Sequence, residues 1–188
     1  MCNKEENAYE FLPELETIAP TYFSDVTSID QSINLISDLG LALNCRTESS
    51  NLIDKIKFKL DRFNHFMKKK SQRTVAYFIW ANPYMAAGND TYINELLKLN
   101  KFQNIYAHMS RYPKVEISRI RHEGDPEIIF LSSEPYPFKD HHAMEIGSYT
   151  NRSTTVFTDG ELFSWFGPRL LLALDYFEKL HKKLESHF

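Results

Sequence analysis

Both tryptophans of this 188-residue chain lie in short segments crowded with other aromatics, prolines and glycines. One runs Trp80-Ala81-Asn82-Pro83-Tyr84-Met85-Ala86-Ala87-Gly88-Asn89-Asp90 and another Ser132-Ser133-Glu134-Pro135-Tyr136-Pro137-Phe138. A third runs Asp159-Gly160-Glu161-Leu162-Phe163-Ser164-Trp165-Phe166-Gly167-Pro168-Arg169. Rings braced by Pro and Gly, with few polar groups among them, form a flat apolar platform. Such a platform suits a large, flat, rigid ligand such as a tetrapyrrole or a metal chelate. The competing account is that the rings seal the end of a sheet, and it holds better for any single ring than for the set.

Other residue groupings carry less chemistry. Asp140-His141-His142 with Glu145 resembles a metal site, and His141 and Glu145 would share a helix face at i, i+4. The H-E-x-x-H pattern of a zinc hydrolase is absent, and an ordinary solvated helix start accounts for these residues. Ser132-Ser133-Glu134 lacks the G-x-S-x-G elbow of a nucleophilic serine. Gly88-Asn89-Asp90 opens a helix and offers backbone N–H groups to an anion, but it has one glycine and no G-x-G-x-x-G. No catalytic residue, protein metal ligand or resident cofactor is nominated, and any metal is expected to arrive inside an organic carrier.

These loops must be held by strands. The segment 74–80 (TVAYFIW) is an unbroken apolar run, as in a strand buried on both faces, and 127–131 (EIIFL) is another. Weaker strand signals fall at 104–107 and 154–157. Helical patterns lie between them, at about 90–99 with Asp90 or Thr91 as cap, at 116–122 and at 139–146. A last helix opens at Pro168 and runs to about 185. This alternation predicts parallel βαβ units, with the loops after each strand at the carboxyl edge where ligands bind.

Upstream, Leu52, Ile56, Leu60, Phe63 and Met67 keep one face of a long helix apolar over about 50–71. Roughly 20 residues of helix span about 30 Å, enough for a rigid strut. Residues 4–17 are acidic and partly helical in pattern, with Pro13 inside, and 21–23 have a strand's composition. Ser28 with Gln31 forms a capping box ahead of the stripe Ile29, Ile33 and Ile36. The division expected is 1–48 as part of an N-terminal α/β lobe, 49–72 as connecting helix and 73–188 as a C-terminal, Rossmann-like α/β lobe. That lobe is expected to hold a parallel four-stranded sheet.

The segments TVAYFIWANPYMAAGNDTYINELL, RYPKVEISRI, IIFLSSEPYPFKDHH and DGELFSWFGPRLLLALDY resemble, in order and spacing, the C-terminal lobe of helical backbone metal receptors. These are the cobalamin- and siderophore-binding proteins of ABC importers. NKEEN at 3–7, Asp25-Val26 and the long helix are similar to the family's later N-lobe and connecting helix. The resemblance implies a non-catalytic binding protein that holds cobalamin, haem or a ferric siderophore between two lobes and delivers it to an ABC permease. It points to Trp80, Tyr84, Glu134, Tyr136, Phe163, Trp165 and Arg169 as cleft residues, and to Glu161 as a docking acid facing the permease. A complete member of the family begins well before NKEEN, so the resemblance also implies a truncated first lobe. The stripe Ile29, Ile33 and Ile36 is then expected to be uncovered and to favour homo-oligomers.

A net charge of −3 and the absence of long Lys/Arg runs argue against nucleic acid, and Lys68-Lys69-Lys70 reads as a helix terminus. Two cysteines, Cys2 and Cys45, are too few for a disulfide framework. No apolar segment precedes Cys2, so a lipoprotein signal is not read there. The family resemblance implies a periplasmic or cell-surface protein. Without an export signal in this sequence, a cytoplasmic binding or interaction module of the same fold is the alternative.

Overall fold

The computed structural model describes residues 1–186. The chain opens with β1 (Cys2–Asn3), α1 (Leu12–Ile18), β2 (Phe23–Ser24) and α2 (Ile29–Ala42). Strand β1 pairs in parallel with β2. Pro13 sits in the first turn of α1, where its missing N–H is no loss, so the helix begins there instead of spanning the acidic stretch before it. Ser28 and Gln31 cap α2 reciprocally. Gln31 N–H donates to Ser28 Oγ at 3.2 Å, and Ser28 N–H donates to Gln31 Oε1 at 3.1 Å.

Helix α3 (Arg46–Met67) is 22 residues long. At about 1.5 Å per residue it spans about 33 Å. It starts a turn earlier than the apolar pattern suggests and stops before Lys68. The turn from α2 is tight because Gly40 lies against Ser49; a Cβ there would sit 2.5 Å from the Ser49 Cβ. The stripe Ile29, Ile33 and Ile36 is not uncovered, contrary to the sequence expectation. Ile36 is buried and the other two are partly buried, because α2 packs along α3 and adds its apolar face to the main core. Exposed apolar side chains of this region include Tyr9, Phe11 and Ile18, in and just before α1, and Leu41 and Leu43 at the end of α2.

The remaining elements are β3 (Arg73–Trp80), β4 (Met85–Ala86), α4 (Tyr92–Leu99), β5 (Phe102–Asn104), β6 (Ile128–Ser132), α5 (Asp140–Ser148), β7 (Thr154–Thr158), α6 (Gly160–Ser164) and α7 (Leu170–Glu185). Strands β5, β3, β6 and β7 are mutually parallel, as expected of βαβ units. The short β4 adds an antiparallel fifth strand, sharing an edge of β3 with β5, and β7 ends the sheet on the other side. Side chains alternate along the strands. Val75, Tyr77, Ile128 and Phe130 face a core shared with α3, α4 and α7, while Ala76, Phe78, Ile129 and Leu131 face a second core with Tyr84, Tyr106, Ile120 and Ile146. Burial on both faces explains the unbroken apolar runs.

Two elements differ from the sequence reading. The strand expected at 104–107 ends at Asn104, whose buried side chain accepts the Tyr106 N–H at 3.1 Å and turns the chain. The helix expected at 116–122 is a single 3-10 turn, Ile117–Arg119. The chain must bend at Gly124, with φ at 143°, to enter β6.

Helices α3 and α7 run parallel. Lys59 Nζ meets Asp175 at 2.5 Å and donates to the Leu171 carbonyl at 2.9 Å. Arg62 reaches Asp175 and Glu178, and Lys70 reaches Glu185. Phe63 and Phe177 meet beneath this ladder at 6.1 Å between ring centres. The connecting helix is therefore a wall of the core as well as a strut.

Candidate ligand cleft

A cleft of about 280 Å³ lies beyond the carboxyl ends of β3 and β6, where the parallel sheet meets the N-terminal segment. That is the edge at which open parallel sheets take their ligands. Asn3, Glu5, Glu6 and Val26 form one wall. The opposite wall is Ile79 at the end of β3, Ser132, Glu134 and Pro135 after β6, and Ser164, Trp165 and Phe166 after α6. Tyr92 and Ile93, opening α4, and Tyr112 complete it.

Local structure fixes this geometry. Asp159 caps α6 by accepting the Leu162 N–H at 3.2 Å. The adjacent Gly160 brings its backbone against the end of β6; a Cβ there would lie 2.3 Å from Ser132 Oγ, and its N–H donates to Ser133 Oγ at 2.9 Å. This close approach delivers Trp165 to Glu134. The indole N–H donates to Glu134 Oε1 at 2.9 Å and the Ser164 hydroxyl to the same oxygen at 3.3 Å. Gly167 N–H donates to the buried Ser32 Oγ at 2.9 Å, tying α2 to the loop after α6.

At the cleft margin, Arg111 grips both carboxylate oxygens of Glu5 at 3.0 Å and donates to the Asp90 carbonyl at 3.0 Å. This ion pair, made by the single nitrogen Nη2 to both oxygens, joins the N-terminal segment to the α/β lobe. Burial pushes the neighbouring Tyr112 phenol well above its usual range, and the Glu5 carboxylate adds to the shift. Sequence reasoning singled out none of Glu5, Arg111 and Tyr112. NKEEN and RYPKVEISRI each mark their segment, but the contact joins residues 106 positions apart and leaves no local pattern.

The structure separates the residues nominated from sequence. Glu134 and Trp165 line the cleft, and Trp165 is 48% exposed. Trp80 is also exposed but lies on the other face of the sheet, because alternation along β3 turns Ile79 to the cleft and Trp80 with Phe78 away from it. Tyr136 packs edge-on against Trp80, ring centres 5.3 Å apart, so these two form a separate aromatic patch. Tyr84 is buried beneath that face and donates its hydroxyl to Glu145 at 2.6 Å; burial raises its phenol, and the Glu145 carboxylate adds to this. Phe163 has no exposed surface and cannot touch a ligand: it faces inward from α6, between Tyr77 at 5.1 Å and Phe177 at 4.7 Å. Arg169 and Glu161 are paired with one another at the surface.

The histidine grouping at α5 is structural. Buried His142 accepts the Lys139 N–H on Nδ1 at 3.0 Å, so its neutral ring carries the proton on Nε2, 3.1 Å from the Tyr136 hydroxyl. Burial, then neighbouring His141, lowers its pKa. With Glu145 held by Tyr84, no group of three or more metal-ligating residues exists among the described residues. No described helix is long and apolar enough to cross a membrane.

The sequence profile of a family described as periplasmic binding protein matches residues 6–149, most of the chain. The chain belongs to this family. Solved structures of the same fold include a possible iron-binding (periplasmic solute-binding) protein from Staphylococcus epidermidis, 20% identical, with a TM-score of 0.76 over 94% of this chain and 72% of that one. The periplasmic vitamin B12-binding protein BtuF of Vibrio cholerae is 16% identical, with a TM-score of 0.73 over 93% and 70%. The periplasmic haem-binding protein HutB of Vibrio cholerae is 11% identical, with a TM-score of 0.75 over 95% and 74%. No curated protein sequence matches the chain.

Proposed function

We propose that the chain binds a metal chelate, a corrinoid, haem or ferric siderophore, in the cleft between its N-terminal segment and α/β lobe, and presents it to an ABC permease outside the cytoplasm. The observation that carries this reading is the position of the cleft. It lies beyond the carboxyl ends of parallel strands, and Trp165 is held on its wall by Glu134. The ligands named for structures of the same fold, iron, vitamin B12 and haem, support this ligand class. The cleft volume of about 280 Å³ can grip one face or edge of a flat chelate. It is at the low end for small-molecule sites.

Binding here needs no chemistry. Trp165, Tyr112 and Phe166 supply apolar area, and the ordered Glu134 carboxylate fixes the indole before the ligand arrives. Little rotamer freedom is then lost on binding. Glu161 is the acid that would face the permease. A permease arginine would have to displace Arg169 from it.

Titration of intrinsic fluorescence with cyanocobalamin, haemin and ferric trihydroxamate tests the reading. A bound chromophore quenches emission in the wild type, and Trp165→Phe weakens binding, whereas Trp80→Phe leaves affinity unchanged. Absence of quenching by all three chromophores would overturn it.

A further inference from the structure

The cleft carries a charge bias that its aromatic rings do not foretell. Its charged lining groups are Glu5, Glu6 and Glu134, and no Lys, Arg or His lines it among the described residues. Arg111, at the margin, is engaged by Glu5 and by the Asp90 carbonyl. Glu6 and Glu134 have no ion pair among the described residues. The two donors to Glu134, Trp165 and Ser164, are neutral and use the same oxygen, Oε1, so the charge is not cancelled and Oε2 is left to accept.

We infer that the cleft selects chelates whose edge is neutral or cationic and rich in N–H or O–H donors, and disfavours chelates bearing carboxylates or ionised catecholates. The inference rests on the chelate-binding reading above; the cleft itself stands on its position and walls, and the carboxylates decide only which ligand charge it accepts. A donor reaching Glu134 Oε2 makes a charge-assisted hydrogen bond. An anionic group in the same place meets an unpaired carboxylate across a cleft partly emptied of water, where like charges repel far more than in bulk solvent. Selectivity of this kind works by rejection as much as by attraction. An amide-edged corrinoid and a ferric hydroxamate with a free ammonium group fit it, whereas the propionates of haem and the triply negative ferric tris-catecholate do not.

The test compares dissociation constants, read by fluorescence quenching at fixed ionic strength, for cyanocobalamin, an ammonium-bearing ferric trihydroxamate, haemin and a ferric tris-catecholate. The wild type binds one or both of the first pair at least about tenfold more tightly than either of the second. Glu134→Gln keeps an acceptor for Trp165 and Ser164 and removes the charge, so it narrows that gap by about tenfold, the scale of one charged hydrogen bond. Glu6→Gln, on the opposite wall, narrows it in the same direction and serves if the first variant melts early. Haemin or the tris-catecholate binding as tightly as the first pair, or a gap unchanged in both variants, overturns the inference and leaves chelate binding intact. If none of the four binds, both fall.

Discussion

His181 makes the stability of this protein depend on pH between about 6.5 and 4. It lies on α7, 6% exposed, with its ring stacked on Phe102 at 5.0 Å and 17°. The Asn100 amide gives its Nδ2 to the Leu96 carbonyl at 2.8 Å, which leaves its Oδ1, 3.1 Å from His181 Nε2, to face the ring. That oxygen must be the acceptor and the neutral ring the donor. Burial, then the charge of Lys70, depresses the imidazole to about 4 from 6.5, with Arg73 adding to this against the opposing pull of Glu185. A folded pKa below the unfolded one means that the unfolded chain takes up the proton first. The contribution is therefore fully present above pH 6.5 and is lost as pH falls toward 4. Linkage gives roughly 2.5 kcal/mol lost between about pH 7.5 and pH 4.5. Urea denaturation followed by far-UV circular dichroism measures it, with His181→Gln retaining an N–H toward Asn100 but not titrating. The stability difference between wild type and variant should shift by about 2 to 3 kcal/mol across that window, with m unchanged. Carboxylates such as Glu185 titrate in both proteins and largely cancel. Two parallel curves, separated by a constant amount, would refute the reasoning.

Phe163→Ala empties the site where the two sides of the main core meet, and should cost about 3–5 kcal/mol, lowering Tm by roughly 6 to 20 °C in a thermal melt. Gly88→Ala places a Cβ 2.3 Å from the Met109 carbonyl oxygen, with backbone on both sides unable to yield. A loss of about 1–3 kcal/mol is expected in denaturant titration. Both side chains of the Arg111–Glu5 pair are about 30% exposed. A double-mutant cycle on Arg111→Gln and Glu5→Gln should therefore give a coupling below about 1 kcal/mol. The same cycle, read by ligand dissociation rates, should show faster release in each single variant, since the pair closes the cleft margin.

The α/β alternation, the capping box at Ser28 and the buried runs of β3 and β6 were legible in sequence because local pattern determines them. Periodicity reports which face is buried and a capping residue needs only its own turn. The cleft was half legible. Glu134 and Trp165 follow strand or helix ends, and the carboxyl-edge rule finds such residues without knowing the tertiary contacts. Trp80 and Phe163 show where that rule stops. A strand's last residue points to one face or the other according to register, and a residue inside a short helix faces inward or outward according to where the helix begins. Neither parity can be counted when element boundaries are uncertain by a residue or two. The Glu5–Arg111 contact was invisible for a different reason: nothing in either segment specifies its distant partner. The expected uncovered stripe on α2 failed because one long helix, α3, can cover it without any sheet.

The parallel packing of α3 on α7, through Phe63, Phe177 and the Lys59–Asp175 ladder, stiffens the helix that joins the N-terminal segment to the α/β lobe. Loading the cleft is then a matter for calorimetry of small areas. With that helix held rigid, the heat-capacity change of binding should track the apolar area that the chelate itself covers. That area lies on Trp165, Tyr112 and Phe166.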